Sequence, residues 1–232
     1  DAQLPLDLSA RLPQGKLLTG QAQTTLPLAP LLAGVGLDWK KQVVTANLQL
    51  LPLELSTLSP IKGQLTGTID FRGSATKPTL TAHLASPSLE VHHFVVGPLK
   101  GELTMDEQQQ VGVTFSAQQP AHGGLLLITS QLKLPIEPAT LSATLKAKDF
   151  RVNYDPGQVS DGLPFKMARG RLDADLQVKG AAGQPQAQGF LKLSDGSLLL
   201  SALPQLLSQV QLDVAVTTLG DLCTLTLRQL KA

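Results

Sequence analysis

Apolar and polar residues alternate with a period of two along almost the whole chain, and this restricts the fold more than any other property. Leu65, Gly67, Ile69 and Phe71 fall on one side of their segment, while Gln64, Thr66, Thr68, Asp70 and Arg72 fall on the other. The same split recurs at Val44/Ala46/Leu48/Leu50, Leu80/Ala82/Leu84, Val111/Val113/Phe115, Leu141/Ala143/Leu145, Leu172/Ala174/Leu176/Val178 and Leu212/Val214/Val216. Successive side chains of a strand point to opposite faces, so each segment predicts a strand with one apolar and one wet side. Turn chemistry separates the segments at Gly73-Ser, Lys77-Pro, Ser86-Pro, Gln119-Pro through Gly124, Asp155-Pro-Gly, Gly180 through Pro185 and Asp195-Gly. The expectation is an all-β chain of hairpins and meanders. Two stretches, 26–36 and 202–210, have proline near their start and predict short helical plugs over an edge or end of the sheet. Residues 153–165 carry no pattern and predict a long loop.

The strands come in copies. Pro60-Ile-Lys-Gly-Gln-Leu-Thr66 recurs 38 positions later as Pro98-Leu-Lys-Gly-Glu-Leu-Thr104, and each copy is expected to open a pass of the sheet. A looser pair runs from Gly63 to Pro78 and, 107 positions on, from Gly170 to Pro185. Repetition points to a surface extended by stacking one unit, not to a single pocket. No shift in composition marks a boundary, so the chain is expected to be one repetitive β-domain over 1–232, with loose units at about 1–60, 61–150 and 151–232. One-sided alternation has two solutions: a β-sandwich with a dry core, or a long, strongly curved sheet folded lengthwise into an open trough. Repetition and the scarcity of aromatic anchors favour the trough.

Composition narrows the function. Hydrophobic residues make up 42% but aromatics only 3%, which suits a smooth aliphatic surface better than an aromatic-lined site for sugars or nucleobases. The formal net charge is +1 and no basic run exists, which argues against nucleic acid as a partner. Cys223 is the single cysteine, so no intramolecular disulfide forms. The longest apolar runs, such as 125–128 and 198–200, fall far short of the roughly 20 residues of a transmembrane helix. The chain starts and stops within alternating patterns and reads as a segment of something longer.

Residues that bear chemistry form no convincing site. His83, Glu90, His92 and His93 suggest a metal, but His92 and His93 would point to opposite faces of a strand, and two or three ligands without cysteine fit surface histidines better. Asp173 and Asp175 share a wet face with Arg171 and Lys179 nearby, as on any solvated, charge-balanced strand. The glycines at 15, 20, 63, 67, 101, 170 and 180 form no phosphate loop and fit bulges and sheet twist. No cofactor and no catalytic residue is expected, and the chain does not read as an enzyme.

The order of elements resembles the TamB family, within the wider AsmA-like group of bacterial envelope proteins. The resemblance rests on Gly15-Lys-Leu-Leu-Thr-Gly20, on 26–37, on the two glycine-to-proline segments, and on Leu193-Ser-Asp-Gly-Ser-Leu198. One departure is that Ser86-Pro-Ser88 stands where the first unit should carry an Asp-Gly turn. The resemblance implies a periplasmic segment of an inner-membrane-anchored protein. It implies a trough that carries phospholipid acyl chains toward the outer membrane, and a TamA-like outer-membrane barrel of the Omp85 type as partner. Outer-membrane protein clients, met by β-augmentation, are the alternative cargo. A structural β-sandwich of a surface protein is the remaining alternative. On the trough reading the lipid-lining residues are Leu65, Ile69, Phe71, Leu80, Leu84, Val111, Val113, Phe115, Leu141, Leu145, Leu172, Leu176, Val178, Leu191, Leu212, Val214 and Val216.

Overall fold

The computed structural model describes residues 2–12, 15–26, 42–55, 61–74, 76–91, 93–119, 123–133, 140–154, 165–181, 184–201, 205–219 and 222–231. Thirteen strands account for nearly all of them. They are β1 (Ala2–Leu12), β2 (Gly15–Leu26), β3 (Val44–Glu54), β4 (Ile61–Gly73), β5 (Pro78–Val91), β6 (Phe94–Met105) and β7 (Gln110–Gln119). There follow β8 (Gly124–Lys133), β9 (Thr140–Tyr154), β10 (Phe165–Ala181), β11 (Gln184–Leu200), β12 (Leu206–Leu219) and β13 (Leu222–Lys231). All belong to one antiparallel sheet, hydrogen-bonded in chain order from β1 to β13. The chain is all-β, and among the described residues there is no α-helix.

Local chemistry makes the meander. At the β6–β7 turn the Asp106 Oδ1 accepts hydrogen bonds from the backbone N–H groups of Gln108 (2.9 Å) and Gln110 (2.8 Å), an Asx turn that reverses the chain. Gln109 takes the left-handed φ of 60° that this turn needs. At the β4–β5 turn Gly73 has φ 120° and is paired with Pro78. Gly180, φ 122°, is paired with Pro185 in the same way, and the bulge glycines Gly63 (φ 140°) and Gly170 (φ 148°) also match. The loose copy in sequence is therefore a close copy in backbone.

Irregularities line up across the sheet. Register shifts fall at Leu50/Leu53 in β3, Gly63/Thr66 in β4 and Ser86/Leu89 in β5. Positive φ values follow at Gly97 in β6, Asp149 in β9, Gly170 in β10, Asp195 in β11 and Gln209 in β12. Bulges bend strands and increase their twist, so a row of them bends the whole sheet along one line.

This line corrects several expectations. Ser86-Pro87 and Asp195-Gly196 lie inside β5 and β11 as bulges and do not separate strands. They occupy equivalent places, so Ser86-Pro-Ser88 does the work of the Asp-Gly bulge in the other copy. Pro98 lies within β6, just after the Gly97 bulge, so the second Pro-x-Lys-Gly motif does not open a strand. Of the expected plug at 202–210, Leu206–Val210 is the start of β12, with Leu206 and Leu207 paired to Leu199 and Leu198. The first plug, beyond Leu26 at the end of β2, lies outside the described residues; of the loop expected over 153–165, Asn153 and Tyr154 instead end β9 and Phe165 opens β10, and the rest lies outside the described residues.

One long-range pairing departs from chain order. β7 and β8 stop at the line of bulges, while β6 and β9 run past it and pair directly through Phe94 and Tyr154. The two rings stack with centroids 4.5 Å apart, which adds about 0.5–1.5 kcal/mol to the apolar burial. Tyr154 is only 1% exposed and Val210 0%, packed with Ala168, Leu193 and Leu198. A single sheet buries side chains so completely only where it curls with its apolar side inward. A second cluster lies beside the first: Ala117, Ala147, Phe150 and Ala174, flanked by Val96, Leu99 and Leu126.

Where β8 has ended, a side chain continues its ladder. The Gln119 Nε2 donates to the Arg151 carbonyl (2.9 Å), and the Arg151 N–H donates to the Gln119 Oε1 (2.7 Å). Replacing Gln119 by alanine is expected to cost about 1–2 kcal/mol, because it leaves two strand groups of β9 without their partner. A lower urea midpoint for Gln119→Ala, with no change for the exposed neighbour Gln118→Ala, is the measurement that checks this.

Candidate functional site

Residues directly opposite in an antiparallel ladder share a face, so the register carries one face from strand to strand. One row reads Leu50, Gly67, Leu84, Gly101, Phe115, Ile128, Leu145, Leu176, Gly189, Val216 from β3 to β12. Its neighbour reads Leu48, Ile69, Ala82, Leu103, Val113, Ser130, Ala143, Val178, Ala187. Ser130 is the single polar side chain in these two rows. All seventeen residues expected from the sequence as lining residues fall on this face. Leu99, Leu103, Leu126, Ile128 and Leu193 belong to it too and escaped the sequence reading. The signal for two of them was hidden because 125–128 is apolar throughout; Leu125 points the other way and is exposed.

The face is covered but open. Leu65, Ile69, Phe71, Val111, Val113, Phe115, Leu176 and Val178 are all half-buried, and the described residues form no second sheet over them. Glycine shapes the floor. A Cβ on Gly67 would run into the His83 carbonyl oxygen, and one on Gly189 into the Asp175 carbonyl oxygen; one on Gly101 would stand 2.6 Å from the Phe115 ring. Gly67, Gly101 and Gly189 lie in the same row, and Gly20 in the next is equally tight. Neighbouring strands thus close up on the apolar side along a crease that crosses the sheet, which makes that side concave.

The opposite face is wet and held by cross-strand polar pairs. Lys62 Nζ lies 3.0 Å from Glu90 Oε1, Gln64 Nε2 donates to Glu54 Oε1 at 3.0 Å, and Lys192 Nζ lies 3.5 Å from Asp213 Oδ2. Such exposed pairs are worth roughly 0–1 kcal/mol each and serve chiefly to keep this face solvated. Shallow open hollows lie here, one of about 550 Å³ lined by hydroxyls and amides including Thr104, Thr114, Thr129, Gln131 and Ser142.

The candidate metal and acid–base groups are spread over this wet face. His93 has φ 67° in the turn between β5 and β6, not in a strand, and its Nδ1 comes within 3.6 Å of Glu90 Oε1. His83 sits opposite Glu102 in β6, and His92 lies outside the described residues. Among the described residues no three metal-ligating side chains stand together. Asp173 Oδ1 accepts from the Asp149 N–H (2.9 Å), and Asp175 Oδ2 is 3.9 Å from Lys146 Nζ. Arg171 joins neither of these carboxylates; it bridges Asp149 (3.8 Å) and Asp195 at the bulge line.

A one-layer antiparallel meander with a largely aliphatic face and a concave crease defines a repetitive β-groove protein. The chain belongs to the TamB family, because the model of the TamB C-terminal domain matches residues 31–198. This is a family of cell-envelope proteins of lipid and outer-membrane assembly, transport and assembly modules whose members associate with TamA-like barrels. No curated protein and no solved structure matches the chain significantly. Among the described residues no helix is long and apolar enough to cross a membrane.

Proposed function

We propose that this chain is a periplasmic stretch of a lipid conduit, one repetitive domain of a longer protein anchored in the inner membrane. Its aliphatic face shields phospholipid acyl chains between the two membranes. The observation that carries this reading is the register, which keeps one apolar, half-buried face running across the sheet while the other face is mostly polar. A lipid tail leaving a bilayer loses about 0.8 kcal/mol for each methylene exposed to water, so a 16-carbon chain loses roughly 10 kcal/mol or more. A strip of leucine, valine, isoleucine and alanine restores most of that without specific contacts. Because the strip is uniform, a step along it changes the energy little, which suits transit better than tight binding. A TamA-like Omp85 barrel is the natural recipient on this reading, by family membership.

The test is photocrosslinking in the full-length protein. Adducts to phospholipid are expected from Leu65, Val113 and Leu176, and none from Thr66, Thr114 and Gln177 on the other face. Equal labelling from both sets, or none from the first, overturns the conduit.

A further inference from the structure

Three of the chain's six arginines meet on the outer face, the one turned away from the groove. Arg151 of β9 and Arg171 of β10 stand directly opposite each other in the register, and Arg169, two positions from Arg171, stands opposite Asn153. Together with Asp195 they line a shallow hollow of about 600 Å³. Like charges placed directly opposite repel. The nearby carboxylates Asp149 and Asp195 both bridge to Arg171, and among the described residues none pairs with Arg151. A planar guanidinium fork matches phosphate oxygens two at a time, which an ammonium group does not. Exposed apolar side chains flank the hollow. Beyond Arg169 the next outward row is Met167, Leu199 and Leu206, and Leu206 is 54% exposed. On the other flank β6 crosses the seam to β9, so the outward Val95 adjoins the Phe94–Tyr154 pair with 46% exposure, and Leu125 at the start of β8 is 42% exposed. The sheet curls with its groove side inward at this seam, so its outer side is convex and offers these side chains to a flat partner.

We propose that this margin is a docking surface for an anionic phospholipid bilayer: the arginines take lipid phosphates, and Val95, Leu125 and Leu206 enter the interface around them. Charge complementarity carries the choice of partner. The arginines suit the phosphates and the flanking apolar side chains suit the acyl boundary below, whereas a soluble anion would use only the first. The inference concerns the face opposite the groove and goes beyond the conduit reading: it seats the sheet on a membrane by its back and leaves the groove free.

The test uses purified full-length protein in a Cys223→Ser background, with an environment-sensitive fluorophore on Ser208→Cys, which shares the outward row of Ser197 and Arg169. Vesicles of phosphatidylcholine with phosphatidylglycerol are expected to shift the emission to the blue, and vesicles of phosphatidylcholine alone to leave it in place. Arg151→Gln with Arg169→Gln is expected to raise the lipid concentration at half-shift about thirtyfold, a factor of about five for each arginine. Leu206→Ser, at an exposed position that folding does not depend on, is expected to raise it about fivefold, and it decides the matter alone if the urea midpoint shows the arginine variant unfolded. Lys77→Gln with Lys179→Gln, exposed lysines at the opposite ends of the strands, is expected to change nothing, and so is Leu176→Glu in the groove. No shift with the anionic vesicles, or equal loss from the lysine pair, overturns the docking surface. Displacement by inorganic phosphate at the same headgroup concentration overturns it too and leaves a site for a free anion. A shift lost in Leu176→Glu assigns the lipid to the groove, which overturns the docking surface and leaves the conduit reading standing.

Discussion

Gly189→Ala is expected to destabilise the protein by about 3 kcal/mol or more, the largest loss of any single added methyl group. Two effects combine at this position. Its φ of 145° is one that residues with a Cβ rarely adopt, and the added carbon would meet the backbone carbonyl of Asp175, which has no rotamer by which to yield. The β10–β11 ladder would have to open on either side, where Leu176 and Gln177 pair with Gly189 and Gln188. With a urea slope of about 2–3 kcal/mol per molar for a chain of this size, the midpoint should fall by about 1 M. Gly123→Ala is the matched comparison. It too has a positive φ, 72°, but nothing lies within 4 Å of its Cβ position, so only the backbone cost of about 1 kcal/mol should appear. Equal midpoints for the two variants would remove the case for a crease made by close approach.

Leu176→Glu is expected to stop lipid movement while leaving the sheet folded. Leu176 lies in the middle of the groove, opposite Leu145 on one side and Gly189 on the other, and is half-buried, so a carboxylate there keeps some water. An acyl chain crossing that strand must leave its methylenes unmatched over one strand spacing of about 4.8 Å, or about four methylenes. At about 0.8 kcal/mol each this adds about 3 kcal/mol to one step and slows it by about two orders of magnitude. The same charge one residue along, Gln177→Glu, faces water and should change nothing. Measured lipid transfer in the full-length protein decides the matter: wild-type transfer in Leu176→Glu would sink the conduit, provided the urea midpoint shows the variant folded.

Much of this architecture could be read directly from the alternation of residues. Parity put the named apolar residues of each regular strand on one face, because a period of two survives as long as the strand is regular, but it passed over Leu103 and Leu126 on that same face. It failed at the bulges. Leu207, Val210 and Leu212 share a face although Val210 is three positions after Leu207, since Gln209 takes a left-handed φ of 55°. The helix expected over 202–210 rests on the proline near its start, and a strand that opens on a bulge shows no clean period of two to oppose that reading. Ala147 and Phe150 straddle Asp149 in the same way. The β6–β9 seam was not legible for a different reason. It depends on β7 and β8 being short, and no local pattern records how far two strands outrun the hairpin between them. Gln119 likewise looked like turn residue and nothing more, because a carboxamide that mimics a peptide group has no signature apart from its partner.

The seam has a geometric consequence for the whole array. One margin of the sheet counts every strand, and the other skips two of them where β6 meets β9. Two strand spacings are about 10 Å of missing arc. A ribbon with one border shortened in this way cannot run straight; it veers toward the shorter border, as a paper strip does when a dart is sewn into one edge. A protein assembled from such units would set its heading by hairpin length alone, each abbreviated hairpin acting as a bend in the pipe without any hinge, linker or helix to make the corner.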